Sequence, residues 1–207
     1  PDLLLKQSED PLFFEEWIDS FYARDILALF GVRDRGGFLK LLTLLFLKSG
    51  SMVDAASLAQ ESGLSRPTVL RHLEALEVTH AICSLPPFFG GGTHEIVKRP
   101  KLYGFDTGMV CHINGWQEVH LREQGILWEH LVLDGLRTHF PKRHLHYWRT
   151  KGHDEIDFVV AHNRQQVDII EAKISPQNLS SKAIRNFRSC YPKGNNYVVC
   201  PNIKKPY

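Results

Sequence analysis

Asp157, Glu171 and Lys173 are the residues of this 207-residue chain whose types and spacing could do chemistry together. They stand in one stretch, 155–173, which reads Glu-Ile-Asp-Phe-Val-Val-Ala-His-Asn-Arg-Gln-Gln-Val-Asp-Ile-Ile-Glu-Ala-Lys. Two β-branched runs flank a polar turn at 162–165, the pattern of a hairpin. Alternation puts Ile156, Phe158 and Val160 on one face of the first strand and Asp157 on the other. In the second strand Val167, Ile169, Glu171 and Lys173 share a face, with Ile170 and Ala172 opposite. Two carboxylates are hard oxygen ligands suited to Mg²⁺ or Mn²⁺. A metal held there would generate hydroxide and stabilise charge on a phosphate. The lysine ammonium would hold the attacking water or offset transition-state charge. The other reading of the same residues is a hairpin whose charges sit at its wet end.

A fourth group lies upstream. Residues 123–140 carry a helical pattern, with Ile126, Leu133 and Leu136 on one face. Glu129 falls on that face, three after Ile126 and four before Leu133. A carboxylate inside an apolar stripe must be paired, metal-bound or shifted in pKa. Pairing with an arginine at the helix rim would also satisfy it.

The order Asp157, then Glu171-Ala172-Lys173, resembles the core of the PD-(D/E)xK nuclease superfamily, with Ile156 where the name has a proline. The resemblance implies catalytic roles for Asp157, Glu171, Lys173 and Glu129. It also implies Mg or Mn as cofactor, ligated by Asp157, Glu171 and Glu129. In that superfamily a glutamate from the preceding helix completes the acidic cluster, and Glu129 takes that place.

The elements that must position these residues are legible in outline. The chain is long enough for two modest domains. Its 43% apolar and 23% charged residues are those of an ordinary soluble protein, for which a cytoplasmic setting is expected. A formal net charge of +2 is too small to argue nucleic-acid binding, so local patches must carry that case. Cys83, Cys111, Cys190 and Cys200 form no Cys-x-x-Cys pair, which excludes a zinc ribbon and points to reduced thiols. The longest apolar run, 38–47, is too short to span a bilayer, so no membrane partner is expected. His139, His144, His146 and His153 form no ligand pair on a helix and read as surface or packing residues.

Residues 11–30 form an amphipathic helix with Trp17, Phe21 and Ile26 on its apolar face. The charged turn 33–37 follows, and 38–48 is a second helix. Residues 54–61 and 66–78 are helices joined by a turn at Gly63, with Ser65 as N-cap and Pro67 in the first turn. Leu58, Leu64, Val69, Leu73 and Leu76 make the core of this helix-turn-helix. Strands at 81–85 and 101–105 complete a winged helix. Arg66, Thr68, Arg71, His72, Lys98, Arg99 and Lys101 are then the DNA-binding candidates, reaching phosphates above all. Glu74 and Glu77 offset them, and such a unit also serves as a protein-docking module. After the hairpin, 178–191 reads as a helix and 197–200 as a final strand.

A second resemblance covers nearly the whole chain. It rests on Tyr22-Ala23-Arg24-Asp25-Ile26, Leu64-Ser65-Arg66-Pro67-Thr68-Val69, residues 100–108, Trp128-Glu129, Tyr147-Trp148-Arg149-Thr150-Lys151, Glu155-Ile156-Asp157-Phe158 and Ile170-Glu171-Ala172-Lys173. These motifs are similar, in order, to the C-terminal half of a prokaryotic family of AAA-type (P-loop) ATPases. The resemblance implies an α/β (α+β) fold: a helical linker at 1–35, a winged helix at 36–106 and a PD-(D/E)xK-like domain at 107–207. It implies an upstream ATPase of the same protein as partner, DNA as substrate and a possible homo-oligomer. The chain opens on Pro1 and holds no Gly-x-x-x-x-Gly-Lys-Ser/Thr loop, so ATP would bind only in the missing N-terminal part. The alternative is a non-catalytic DNA-binding or protein-docking module built on an inactive nuclease fold.

Overall fold

A computed structural model describes residues 12–90, 99–163 and 165–201. The chain starts as a helix over 13–30 (α1), α-helical at Phe13–Phe21 and Ala28–Phe30 with a π-helical segment Tyr22–Leu27 between. Gly31 ends it in the left-handed conformation, φ 64°. Helix α2 (Arg35–Leu47) begins earlier than the glycines suggest. The Asp34 carboxylate accepts the Gly37 N–H at 2.9 Å, and this cap draws 35–37 into the first turn. Strand β1 (Ser51–Met52) precedes α3 (Ala55–Ser62) and α4 (Arg66–Val78), which are capped by Asp54 and Ser65 as their types predict. Strands β2 (Ile82–Leu85) and β3 (Lys101–Gly104) follow, and β3 lies between β1 and β2 in an antiparallel sheet.

Helix α5 (Thr107–Asn114) leads to α6 (Leu121–His139), then β4 (Leu145–Arg149), β5 (Glu155–Ala161) and β6 (Val167–Ala172). Helix α7 (Ser181–Cys190) crosses over to β7 (Asn196–Val199). The sheet order is β4-β5-β6-β7, antiparallel except for the parallel β6–β7 pair that the crossover makes possible. Among the described residues the fold is mixed α/β with two sheets. Among the described residues no helix is long and apolar enough to cross a membrane.

Three apolar cores organise it. The first joins Tyr22, Ile26, Phe38, Leu42, Val69 and Leu76. It also takes in Met109 and Val110, so α5, expected to open the second domain, packs with the first. Likewise α1 is no mere linker: Trp17 stacks on Phe105 at 4.7 Å between ring centroids, while Leu27 and Leu29 stay exposed. The second core sets Val132 and Leu133 of α6 on one face of the large sheet, against Tyr147, Phe158 and Val160. Cys83, Leu85 and Tyr103 of the small sheet join it, so the two units share apolar packing. On the opposite face α7 brings Ala183 and Phe187 to Trp148, Ile156 and Val159. The free edge of β4 is covered at 86–88, where Tyr147 N–H donates to Pro86 O at 3.1 Å.

One register shift matters for chemistry. His146 pairs with Val159 and Trp148 with Ile156, so Asp157 and Phe158 together stand opposite Tyr147 alone. This β-bulge breaks the alternation expected of the strand. Ile156 packs in a different core from Phe158 and Val160, rather than on one face with them.

His72, expected to face outward, is buried and packs edge-on against Phe38 at 5.6 Å. It stands three residues after Val69, on the buried stripe of α4. Both ring nitrogens lack a hydrogen-bond partner among the described residues. Burial holds its pKa below the ordinary histidine value of 6.5. The unfolded chain therefore takes up protons that the folded one refuses. His72 contributes full stability above about pH 6.5, and this is lost as pH falls through that value toward the lower folded pKa. Melts followed from about pH 8 to about pH 5 should show a shallower acid loss in His72→Leu than in wild type. The slope shrinks rather than vanishes, because burial holds His130 and His146 low as well. An unchanged slope would contradict this.

Candidate functional site

The bulge, the end of β6 and the middle of α6 meet beside β3. Within the bulge, the Asp157 carboxylate accepts the Ala172 N–H at 2.9 Å, a side chain standing in for the ladder. Lys173 follows Ala172 directly, and its Nζ donates to Asp157 Oδ2 at 2.5 Å and contacts Glu171 Oε2 at 2.7 Å. One ammonium thus bridges both carboxylates. Glu171 is 2% exposed, and its Oε1 has no hydrogen-bond partner among the described residues. Burial first, and then the Asp157 charge, push the Glu171 pKa up to about 8, with Lys173 opposing. Lys173 in turn is held above the ordinary lysine value: burial disfavours its charge, but Asp157 and Glu171 outweigh that.

Glu129 belongs to a second, adjoining network. Its Oε1 accepts from Lys101 Nζ at 3.0 Å and from the Tyr103 hydroxyl at 2.6 Å. Lys101 Nζ also meets Glu155 Oε1 at 2.5 Å, and Arg149 Nη1 holds Glu155 Oε2 at 2.5 Å. Burial raises the Glu129 pKa, Lys101 lowers it, and the nearby Asp157 charge raises it again. Its partner is therefore a lysine and a tyrosine from β3, not an arginine at a helix rim. Four carboxylates (Glu129, Glu155, Asp157, Glu171) face three cations (Lys101, Arg149, Lys173) across the two networks. One negative charge is left for a proton or a metal to answer.

The donor set fits a hard divalent cation in part. Asp157 and Glu171 are adjacent, and the unpartnered Oε1 is a buried oxygen in want of a ligand. Among the described residues, however, no group of three or more Asp, Glu, His or Cys is arranged to hold a metal. Glu129 stays with Lys101.

The surface candidates separate. Arg66, Arg71 and Arg99 are exposed. Among the described residues neither Arg66 nor Arg71 is ion-paired, and Glu77 is occupied by Lys142 Nζ at 3.0 Å. Thr68 is half-buried, its hydroxyl 2.7 Å from Ser65 Oγ. His72 and Lys101 are withdrawn from that surface by burial, and Lys98 lies outside the described residues. Tyr103, Arg149 and Glu155 are site residues that the sequence reading passed over, and Lys101, expected at the DNA-binding surface, joins them through Glu129 and Glu155. Lys101 and Tyr103 alternate along a strand that the sheet order makes central, where a buried lysine needs acidic partners.

Another constellation is structural. Ser49 Oγ lies 2.7 Å from His130 Nε2 and accepts the Gly104 N–H at 2.7 Å, while His130 Nδ1 lies 2.7 Å from Ile126 O. This serine–histidine pair is buried on both sides, so it ties α2 and β3 to α6 without offering a nucleophile to solvent.

Residues 124–206 match the family model DUF4143, described as a domain of unknown function. The uncharacterized protein Mb2031c of Mycobacterium bovis and the uncharacterized protein Rv2008c of Mycobacterium tuberculosis are each 29% identical over 166 residues. Each alignment takes in 77% of this chain and 37% of the relative, so the chain spans well under half the length of these curated relatives. No solved structure matches. Residues 1–120, more than half of the chain, match the family model DUF8612, also described as a domain of unknown function, and the protein belongs to that family.

Proposed function

We propose that the chain is a DNA-binding, metal-dependent nuclease region of the PD-(D/E)xK type, cleaving DNA phosphodiesters with Mg²⁺ or Mn²⁺. The observation that carries the reading is the convergence of Asp157, Glu171 and Lys173, with a buried carboxylate oxygen left unpartnered among the described residues. The element order α6-β4-β5-β6-α7-β7 supports it, since helix, three-stranded meander, crossover helix and parallel strand bring these residues to one place. Asp157 and Glu171 would hold the metal, which supplies a hydroxide at neutral pH and Lewis-acid polarisation of the phosphate. Lys173 positions water or a phosphate oxygen and keeps the two carboxylates together before metal arrives.

The small sheet and α2 to α4 are read as a winged helix, with Arg66, Arg71 and Arg99 reaching phosphates. The greater length of the relatives leaves room for an ATPase region upstream that would drive the site. Adding Mn²⁺ should raise the melting temperature by mass action, and Asp157→Asn should remove that rise. A melting temperature indifferent to Mn²⁺ would sink the metal reading.

A second reading, a non-catalytic DNA-binding or docking module, is favoured by one observation: Lys101 and Lys173 already neutralise much of the acidic cluster. Retention on duplex DNA at low salt, weakened with a smaller salt slope in Arg66→Ala/Arg71→Ala, separates a DNA module from a docking one.

A further inference from the structure

We propose that Lys101 is a tethered counter-ion that keeps the acidic site closed to divalent metal, and that the metal loads as Lys101 withdraws from Glu129. This rests on the reading of Asp157 and Glu171 as a metal site and adds its regulation.

The geometry singles out this lysine. It is the one ammonium in the two networks delivered by the small sheet; Arg149 and Lys173 both belong to the large one. Its residue is 4% exposed, and its Nζ lies between Glu129 and Glu155, 3.0 and 2.5 Å away. Asp157 is close enough for its charge to act on Lys101. A cation bound to two carboxylates and attracted by a third stands in for a metal at the cost of only one positive charge.

The partners are arranged so that one contact can change hands. If Lys101 leaves, Glu155 keeps Arg149, whereas Glu129 keeps only the Tyr103 hydroxyl. Glu129 then becomes a buried carboxylate without a cation, beside Asp157, which a divalent ion would answer. Among the described residues there is no preformed three-ligand group, and Glu129 is held by Lys101. Lys101, once out, recovers the hydration that burial denies it.

The wild-type protein provides the first arm of the test. Lysine acetylation with an N-hydroxysuccinimide ester, read at Lys101 by mass spectrometry, is compared without and with saturating Mn²⁺, with binding measured by calorimetry. The expected result is a protected Lys101 that becomes reactive as Mn²⁺ binds. Mn²⁺ binding with Lys101 still protected overturns the gate and leaves the metal site standing.

The second arm compares Lys101→Met, Glu129→Gln and their double variant. Lys101→Met should bind Mn²⁺ about tenfold tighter, a change of about 1.4 kcal/mol. Glu129→Gln should reverse that gain while changing the wild-type affinity little. Equal Mn²⁺ affinity in wild type and Lys101→Met overturns the gate alone. Binding by neither overturns the gate and the metal reading together. Weaker binding by Lys101→Met overturns the gate alone, since Lys101 would then orient Glu129 as a ligand. Should Lys101→Met fail to fold, the labelling arm decides.

Discussion

Glu171→Ala and Lys173→Ala should each abolish Mn²⁺-dependent nicking of plasmid or single-stranded DNA, a fall of about a hundredfold or more. The two losses have different causes. Glu171 supplies the buried oxygen left unpartnered among the described residues, and without it the metal loses one of its two principal oxygen donors. Lys173 touches both carboxylates and neutralises Asp157, and without its opposing charge the Glu171 pKa rises further, so Glu171 holds a proton that a metal must displace. Mn²⁺ should partly rescue the stability of Lys173→Ala, since a cation can take over that neutralising role, but it should not restore the rate. Wild type and both variants equally inert, while DNA is still retained, would establish the non-catalytic reading instead.

Much of this site was legible because its parts obey local rules. Glu171 and Lys173 flank Ala172 at the end of an apolar run, and Glu129 interrupts an apolar stripe; period alone exposes both. The bulge at Asp157 and Phe158 was not legible, because alternation presumes an unbroken ladder and the extra residue shows only in the register with β4. Lys101 misled for a related reason. Beside Lys98, Arg99 and Pro100 it reads as one more basic residue of a wing. Only the sheet order reveals β3 as the central strand, its lysine turned toward Glu129 and Glu155. His72 was different, since its spacing from Val69 and Leu76 already placed it on the buried face of α4, and its polarity obscured that. Domain boundaries were the least readable. Tyr103 and Cys83 share a core with α6, and no local pattern marks packing between units.

Gly194→Ala should destabilise the protein by about 3 kcal/mol or more. The residue has φ +125°, a conformation that side chains other than glycine's rarely adopt. A Cβ there would also fall on the Val167 carbonyl oxygen, a backbone atom that cannot step aside. The turn it occupies starts the parallel pairing of β7. Val167 N–H donates to Lys193 O at 3.1 Å and Ile169 N–H to Asn195 O at 2.9 Å. Arg188 reinforces the turn, its Nη2 donating to Asn195 O at 2.6 Å. Because β6 carries Glu171 and pairs with β7 through Glu171 and Val198, the damage should spread to the site. Chemical denaturation would measure it, and a loss below about 1 kcal/mol would contradict the close approach.

The central claim is that Asp157 and Glu171 share a divalent cation. A crystal structure grown with Mn²⁺, with data collected for manganese anomalous scattering, tests it most directly. One peak is expected with Asp157 and Glu171 oxygens at about 2.1–2.2 Å, Glu171 Oε1 among them, and Lys173 Nζ displaced from between the carboxylates. Manganese bound elsewhere, with Lys173 still bridging Asp157 and Glu171, would contradict it.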